Sequence, residues 1–325
     1  MANWATSITG VILGVCVLTS CATTEAPIYG GPASQAPVAE APYRMDYQGW
    51  LTVDAYVNGE GPHDFIVDSG ATITAAFANL AGTQQFQPAN REPIQILGLS
   101  GARALPAYEI GEISVSGVSL TDHVGVILPD WDPPARPPQG VLGLDLLSRY
   151  KPLISHDERT IKLYDPAAIP DHNMEGWTSA PLIPLYTDDE SRPLYQTVIN
   201  IRGAEIPCIV DLGASGTVFN VSALRRMTGG VHINSSRRRG IRTGTRIQGI
   251  FDNPDIAASI NIARLQIGQA SWLDRTVIVY DAQIFRDMGI NRGPFCLLGA
   301  DILADRSVML DFQNERIFIE RRRRG

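Results

Sequence analysis

The sequence lacks the residue patterns of several common enzyme classes. Its five histidines show no metal-ligand spacing. No glycine-rich loop follows a strand pattern and opens a helix, as a phosphate-binding loop does. The segment Gly213-Ala214-Ser215-Gly216 does not form the nucleophile turn of a serine hydrolase. We therefore expect no metal and no cofactor. The histidines are His63, His123, His156, His172 and His232.

Basic residues are too few for a general nucleic-acid-binding protein. The chain has 27 Lys and Arg against 34 Asp and Glu, a formal net charge of −7. A net negative protein is repelled by the phosphate backbone unless it carries a strong local basic surface. We expect no nucleic-acid partner.

The N-terminus has no Lys or Arg in its first seven residues. Residues Ile8 to Leu18 form an apolar run that is too short to span a bilayer as a stable helix. Leu18-Thr19-Ser20-Cys21 resembles a bacterial lipobox, in which the Cys becomes the lipidated first residue. The missing positive charge leaves a plain signal peptide or an uncleaved anchor as alternatives. We expect residues 1–21 to be a signal peptide with a lipobox, and Cys21 to be lipidated.

The residue after the lipobox bears on localisation. Ala22, rather than Asp, resembles the sorting pattern for the outer membrane. Lipoproteins of this type carry several acyl chains and stay attached, whereas a single chain anchors weakly. We expect a membrane anchor through the N-terminal lipid, on the periplasmic side of the bacterial envelope and at the outer membrane.

A short block of residues occurs twice. Residues 65–72 read Phe-Ile-Val-Asp-Ser-Gly-Ala-Thr, and residues 208–215 read Cys-Ile-Val-Asp-Leu-Gly-Ala-Ser. In each block an apolar strand runs into Asp-x-Gly-Ala. Each block is followed by a second apolar strand that ends in glycine, at Gly143 and Gly299. A duplication of this length indicates two similar lobes with different loop insertions.

This ordered set of two Asp-x-Gly turns, each with a hydrophobic-hydrophobic-Gly strand behind it, resembles the pepsin and retropepsin clan of aspartic proteases. The resemblance covers roughly residues 47–320. Both lobes lie in one chain, as in pepsins, whereas the retroviral members dimerise. The resemblance implies an all-β, two-lobed pepsin-like fold of two retropepsin-like β-barrel repeats, and a monomer.

The strand patterns agree with an all-β class. Short β-branched stretches are bounded by Gly, Pro, Asn or Asp, and no long helical period competes with them. Brief helices are predicted over 144–150, 222–227 and 302–305. Asp145 and Asp301 follow the Gly strands as helix-capping or structural carboxylates.

Composition and the repeat predict the domain boundaries. Residues 22–46 are rich in Ala, Pro, Gly and Thr, which indicates a flexible tether. An N-terminal lobe is predicted over 47–164 and a C-terminal lobe over 184–325. The Pro- and Gly-containing segment 165–183 is the predicted linker between the lobes.

The resemblance implies that Asp68 and Asp211 form a catalytic pair. Peptide hydrolysis without a metal or a covalent intermediate needs a water made nucleophilic and a leaving amine protonated, and two carboxylates that share one proton supply both. At about 3 Å apart they cannot both ionise, so one pKa falls and the other rises. Glycine after each x allows unusual backbone conformations and close approach of N–H groups. The residues predicted to support the pair are Ser69, Gly70, Ala71, Leu212, Gly213 and Ala214.

Ser69 and Leu212 make the two turns unequal. In the family this position is usually Thr or Ser, whose hydroxyl bonds to the backbone of the opposite turn. Ser69 can form that bond and Leu212 cannot. One such bond is worth about 0.5–1.5 kcal/mol, so the fold should survive. A displacement of about 1 Å costs on the order of a hundredfold in rate, so Leu212 is the main argument for a slowed or inactive site.

A flap over the cleft is also implied by the resemblance. Residues 94–103 read as a hairpin with a glycine-bearing tip, between the first Asp turn and its Gly strand. The predicted flap residues are Gly98, Leu99, Ser100 and Gly101.

Two cysteines remain outside the N-terminal segment, Cys208 and Cys296. Each lies three residues before a motif residue, on strands that run side by side in the family's fold. A disulfide and two buried free thiols are both open.

These features predict an aspartic endopeptidase that hydrolyses extended polypeptides of the cell envelope. The alternative is a catalytically impaired homologue that holds an extended peptide between its lobes without cutting it. Leu212 favours the alternative, and retention of both Asp and both following Gly favours the enzyme.

Overall fold

The computed structural model describes residues 35–46, 48–130, 137–168, 170, 174–186, 193–228, 241–251, 255–290 and 292–321. Strands account for 54% of these described residues and helices for 11%, which confirms the all-β class. The first half of the chain contains β1 (Ala39–Met45), β2 (Leu51–Val57), β3 (Glu60–Val67), β4 (Ala75–Phe77), α1 (Ala78–Gln84), β5 (Gln87–Pro88), β6 (Ile94–Gly98), β7 (Gly101–Leu105), β8 (Ala107–Val115), β9 (Val118–Leu128), β10 (Gly140–Leu142), α2 (Leu144–Leu147), β11 (Lys151–Ser155) and β12 (Thr160–Tyr164).

The second half repeats much of this order. It contains β13 (Trp177–Pro181), β14 (Ile183–Leu185), β15 (Leu194–Ile201), β16 (Ala204–Val210), β17 (Val218–Phe219), α3 (Val221–Thr228), β18 (Ile241–Ile247), β19 (Asp255–Ile267), β20 (Ala270–Val279), α4 (Gln283–Asp287), β21 (Cys296–Leu298), α5 (Ala300–Leu303), β22 (Val308–Asp311) and β23 (Arg316–Glu320). We call the part around β2–β10 the first lobe and the part around β14–β21 the second lobe.

The same strand arrangement surrounds each Asp turn. In the first lobe β10 lies between β3, to which it is parallel, and β4, to which it is antiparallel. In the second lobe β21 lies in the same way between β16 and β17. The next neighbour is again parallel in both cases, β9 beside β4 and β20 beside β17. The fold of two retropepsin-like lobes predicted from the duplicated block is confirmed.

The apolar composition of the short central strands follows from this position. All residues of β10 and β21 are buried, because strands lie on both sides of them and side chains cover both faces. Burying a Leu side chain such as Leu142 or Leu298 contributes about 1.5–3 kcal/mol. The hydrophobic-hydrophobic-Gly pattern is thus the sequence of a fully buried strand.

A sheet shared by the two halves joins the lobes. Its strands follow the order β13-β23-β22-β11-β12-β1 and continue through β2 into the first lobe. The junction is the antiparallel pair β11 and β22, in which Leu153 faces Met309. Lys151 and Asp311 lie on these strands as a buried ion pair with Nζ and Oδ2 3.0 Å apart.

Two of the expected connecting segments contain strands. The prediction of a flexible tether over 22–46 is wrong for its last part, because β1 pairs with both β2 and β12. Ala39, Ala41 and Tyr43 alternate with exposed residues and are buried, as expected for a strand with one face on the core. Residues 1–34 lie outside the described part of the chain. The segment 165–183, predicted as a linker, includes β13, which pairs with β23.

The helix predictions hold in position and differ in extent. Helices α2, α3 and α5 lie at the predicted places, but α2 and α5 are single turns that follow the glycines at the ends of β10 and β21. Helices α1 and α4 were not predicted. Both are short, with few buried residues, and leave too little periodicity in the sequence.

The open question about the cysteines is answered by the strand register. Cys208 of β16 lies directly beside Cys296 of β21, with Cα atoms 4.4 Å apart, and the two form a disulfide. The disulfide links the strand that precedes the second Asp turn to the strand that ends in Gly299.

Candidate active site

Each Asp turn begins where a buried strand ends. The backbone N–H of Asp68 donates to the carbonyl oxygen of Leu142 at 3.0 Å, and that of Asp211 donates to Leu298 at 3.0 Å. This hydrogen bond to the Gly-ending strand therefore fixes the position of each aspartate relative to its own lobe. Because the two lobes use the same bond, their aspartates enter the cleft in the same way.

The structure brings the two aspartates together and gives the glycines a more specific role. A Cβ atom on Gly70 would lie 2.5 Å from Cγ of Asp211, and one on Gly213 would overlap the carboxyl group of Asp68. Each glycine therefore packs against the carboxyl group of the opposite lobe. Neither has a positive φ, so the predicted need for unusual backbone conformations is wrong and close approach is the reason for glycine.

Backbone donors orient each carboxylate within its own turn. The N–H of Gly70 donates to Oδ1 of Asp68 at 2.7 Å. The N–H of Ala214 donates to Oδ1 of Asp211 at 2.9 Å. The two carboxyl groups also hydrogen-bond to each other. Of the turn residues predicted to support the pair, Gly70 and Ala214 donate to it, and Ala71 and Gly213 add backbone donors toward Asp68. Ser69 and Leu212 do not contact the carboxyl groups themselves.

The surroundings of the pair favour a shared proton. Burial raises the pKa of Asp68, and the backbone N–H of Gly70 partly offsets this effect. Burial and then the charge of Asp68 raise the pKa of Asp211 well above its ordinary value. The expectation that one pKa falls is therefore wrong, because burial outweighs the donors at Asp68. Because the pKa of both carboxyl groups is raised, the pair retains one shared proton when the other carboxyl group ionises.

One hydroxyl group joins the two turns. The Ser69 hydroxyl donates to the carbonyl oxygen of Val210 at 2.8 Å and accepts the N–H of Leu212 at 3.0 Å. The Leu212 side chain is buried among the apolar residues of the core and offers no matching bond. The link between the turns is thus made from one side only.

A family model described as aspartyl protease matches residues 53–146. The first lobe is therefore similar to an aspartyl protease domain. The match runs from β2 to α2 and contains Asp68, the predicted flap and Gly143. No curated protein matches the chain. The second lobe lies outside the matched residues, and its place in the same architecture rests on the strand arrangement around Asp211.

A threonine that the sequence reasoning missed supports the first turn of the aspartyl protease domain. Thr74 Oγ1 donates to Oδ1 of Asp145 at 2.6 Å and accepts the N–H of Gly143 at 3.0 Å. The Thr74 N–H also donates to both oxygens of Asp145, at 3.0 and 2.9 Å. Asp145 was predicted to be either a helix cap or a structural carboxylate. Its contacts make it structural, since no side chain caps α2.

The second lobe repeats this arrangement. Thr217 Oγ1 donates to Oδ1 of Asp301 at 2.7 Å and accepts the N–H of Gly299 at 3.0 Å. Thr217 stands six residues after its aspartate, as Thr74 does. The duplicated Asp-x-Gly-Ala-x-x-Thr pattern is the signal that could have identified both threonines.

The predicted flap is a hairpin of β6 and β7, with Leu99 and Ser100 at its tip. The underside packs on an apolar cluster of the first lobe through Ile94, Ile96 and Leu105. The hairpin extends from there to the other lobe. The predicted flap therefore lies across the cleft between the two lobes.

Contacts with the second lobe hold the flap tip. The N–H of Gln283 donates to the carbonyl oxygen of Leu99 at 2.8 Å, and the N–H of Ala102 donates to Oδ2 of Asp287 at 3.1 Å. Gly98 lies against the Phe251 ring. Arg103 stacks over the same ring at 5.0 Å and donates to the Phe251 carbonyl oxygen at 3.2 Å. The described conformation is therefore closed, with the flap fixed by α4 and by Phe251.

Two further properties concern the described residues as a whole. No three His, Cys, Asp or Glu side chains there come close enough together to hold a metal ion. None of the helices in the described part of the chain is both long enough and apolar enough to cross a membrane.

Proposed function

We propose that this protein is an aspartic endopeptidase that cuts extended polypeptides between Asp68 and Asp211. The observation that carries the proposal is the crossed packing of the turns, in which the glycine of each lobe touches the carboxyl group of the other. That packing brings the two carboxyl groups side by side, where they share a hydrogen bond. Both Asp turns come from one chain, which favours action as a monomer.

The shared proton gives the two aspartates complementary roles. The ionised carboxylate accepts a proton from the attacking water, and the protonated one donates its proton to the carbonyl oxygen of the scissile peptide bond. The proton taken from the water then passes to the leaving nitrogen. A closed flap excludes bulk water and strengthens these interactions.

The rival function, peptide binding without cleavage, rests on Leu212. The Ser69 hydroxyl makes both bonds to the opposite turn, so the lack of a hydroxyl at Leu212 does not leave the turns separate. This geometry favours the enzyme. The one-sided link predicts that the two turns are correctly arranged for catalysis without a second hydroxyl group in place of Leu212.

The experiment is incubation of the full-length chain, purified in detergent, with a diverse peptide library across pH, read by mass spectrometry. The proposal expects cleavage that Asp68→Asn and Asp211→Asn each reduce by at least about 10³-fold, with little further loss in the double variant. Glu205→Gln, which changes an exposed carboxylate on β16, is the matched control. Circular dichroism verifies folding. Absence of wild-type cleavage at every pH would favour the binding protein instead.

We further propose that the enzyme acts on cell-envelope proteins from a lipid anchor at Cys21, on the periplasmic side of the bacterial outer membrane. The disulfide between Cys208 and Cys296 supports an oxidising compartment, since such bonds persist outside the cytosol. Mass spectrometry of the N-terminal peptide after detergent extraction tests the anchor. An unmodified Cys21, or an intact Met1 terminus in the mature protein, would contradict it.

A further inference from the structure

A short segment of the second lobe, residues 248–251, lies against the flap of the first lobe. The segment follows β18, an edge strand of the second lobe's sheet. A Cβ atom on Gly98 of the flap would lie 2.9 Å from Cδ2 of the Phe251 ring and 3.6 Å from Cγ2 of Ile250. Glycine at the end of β6 therefore allows both side chains to approach the flap backbone closely. The second lobe thus places two apolar side chains directly against the flap.

Ile250 and Phe251 pack on the same apolar cluster of the first lobe as the underside of the flap. Ala71, which stands three residues after Asp68, packs on this cluster as well. The cluster therefore extends from the flap to the first Asp turn and forms an apolar wall of the cleft. A polypeptide that lies between the flap and the aspartates passes over this wall. In the described conformation Ile250 and Phe251 cover part of the wall instead.

The burial of these two side chains differs from that of ordinary core residues. Both remain partly exposed, whereas the cluster beneath them contains buried residues such as Trp50 and Phe77. Truncation of a fully buried side chain leaves a closed cavity, which destabilises the fold. Truncation of Phe251 instead uncovers apolar surface that faces the cleft. Its contact with the first lobe is therefore not needed to complete the core.

One flap residue holds the segment in place. The Arg103 guanidinium lies 5.0 Å from the centre of the Phe251 ring and donates to the Phe251 carbonyl oxygen at 3.2 Å. Both contacts are made at the surface, where water competes for the guanidinium and a cation over an aromatic ring contributes little. A ligand that offers its own apolar side chains to the wall can therefore displace the segment.

We propose that Ile250 and Phe251 form an internal plug, which covers the apolar wall beside Asp68 and has to be displaced before a polypeptide can bind there. The contact is autoinhibitory, because the plug and the ligand compete for the same surface. A plug that is displaced in about one molecule in ten lowers the apparent affinity for the ligand about tenfold. The effect of the plug on cleavage rests on the proposed function, whereas its effect on peptide binding does not.

Binding of a synthetic peptide with the sequence of residues 246–251 tests the plug without cleavage. The variants are made in the full-length chain carrying Asp211→Asn, so that the peptide is not cut, and binding is measured by fluorescence anisotropy of the labelled peptide. We expect Phe251→Ala to bind the peptide about tenfold more tightly than the parent chain, since the wall is then uncovered. Arg103→Gln should tighten binding about threefold, because the plug persists without its two contacts to Arg103.

A control variant removes an aromatic ring elsewhere on the second lobe. Tyr186→Ala truncates an exposed ring that does not belong to the cluster and should leave peptide binding unchanged. Circular dichroism verifies that each variant is folded. Weaker binding to Phe251→Ala would show that the ring is itself a wall of the binding site and would overturn the proposal. Equal binding to Phe251→Ala and the parent chain, or no binding to Phe251→Ala, would overturn it as well.

Kinetics of the chain with both aspartates provide a second readout. On a peptide that wild type cleaves, Phe251→Ala should lower KM about tenfold and keep kcat within about twofold, because saturating substrate displaces the plug in wild type too. A general structural role of Phe251 would instead lower kcat or raise KM. Failure of wild type to cleave any peptide would count against the proposed function alone, since peptide binding is measured in a chain that does not need to cleave.

Discussion

Ser69 of the first lobe and Val210 of the second are joined by a buried hydrogen bond of 2.8 Å from the serine hydroxyl to the valine carbonyl oxygen. The same hydroxyl oxygen accepts a hydrogen bond from the backbone N–H of Leu212. The two hydrogen bonds of the Ser69 side chain to the opposite turn thus share one oxygen atom at the candidate active site.

Ser69→Ala should therefore damage the site more than Leu212→Thr. Ser69→Ala leaves two buried backbone groups without a partner, which costs about 1–3 kcal/mol, and lets the turns shift, so we expect kcat to fall by about tenfold or more. Leu212→Thr should maintain or raise kcat while lowering the melting temperature, because it removes buried apolar contacts. Peptide cleavage and thermal unfolding measure the two effects. Unchanged turnover in Ser69→Ala would refute the one-sided link.

The pH profile of cleavage should be bell-shaped and displaced from the usual carboxyl range. Fully protonated and fully ionised pairs each lack one required function. Because the pKa of Asp68 is raised and that of Asp211 is raised well above its ordinary value, both limbs should lie above those of an unperturbed carboxyl group. Initial rates from pH 3 to pH 9 on one peptide test this. A profile that rises steadily toward the acid end would contradict it.

Asp211→Asn should stabilise the folded protein at neutral pH. The folded-state pKa of Asp211 is raised, so the native state binds the proton more tightly than the unfolded chain does. Its contribution to stability is fully present below the unfolded pKa and is lost as pH rises through the folded pKa. The neutral amide removes this loss. Melting temperatures of wild type and variant should converge near pH 3 and diverge toward pH 8, and a variant that is less stable at both ends would count against the raised pKa.

Asp287→Ala should release the flap. Asp287 accepts the N–H of Ala102 and the side-chain amide of Gln283, so its loss removes one anchor of the tip. We expect exchange of residues 94–105 to accelerate by about fivefold, since a hydrogen bond to a charged group contributes about 1.5–3 kcal/mol and other anchors persist. Glu205→Ala on the outside of the second lobe is the control. Equal exchange in both variants would show that the flap is held elsewhere.

Lys151→Met should be strongly destabilising. Lys151 and Asp311 are almost completely buried, 3.0 Å apart, at the junction of the sheet that joins the lobes. Removal of one partner leaves a buried charge and typically costs 3–5 kcal/mol. The double change Lys151→Met with Asp311→Leu should recover most of that loss. Chemical denaturation measures all three proteins, and a double variant as unstable as the single one would show that packing, rather than charge, is at fault.

The candidate active site was the most predictable part of the molecule. Asp68 and Asp211 lie at matched points of a repeat, and fully buried strands such as β10 and β21 leave an uninterrupted apolar sequence that ends in glycine. The one-sided bond of Ser69 also followed from the residue types, because leucine has no hydroxyl. Local sequence was sufficient wherever local geometry determined the outcome.

The remaining features depend on contacts between distant residues. β1 has few large side chains, and its burial comes from strands β2 and β12, which its own composition does not reveal. Partners of the flap on α4 lie far along the chain, in a helix too short to show periodicity. In each case the decisive neighbour is known only after folding.

The position of β1 also limits the distance between the described structure and the proposed membrane anchor. A bridge already joins Gln35 to Pro170 ahead of β1, so residues 22–34 are the part of the chain between the proposed anchor at Cys21 and the described structure. A fully extended chain covers at most about 3.3–3.6 Å per residue, so a segment of this length spans no more than roughly 50 Å. An enzyme anchored in the proposed way would reach only substrates that approach the membrane, and anchoring would select them by distance before the cleft selects them by sequence.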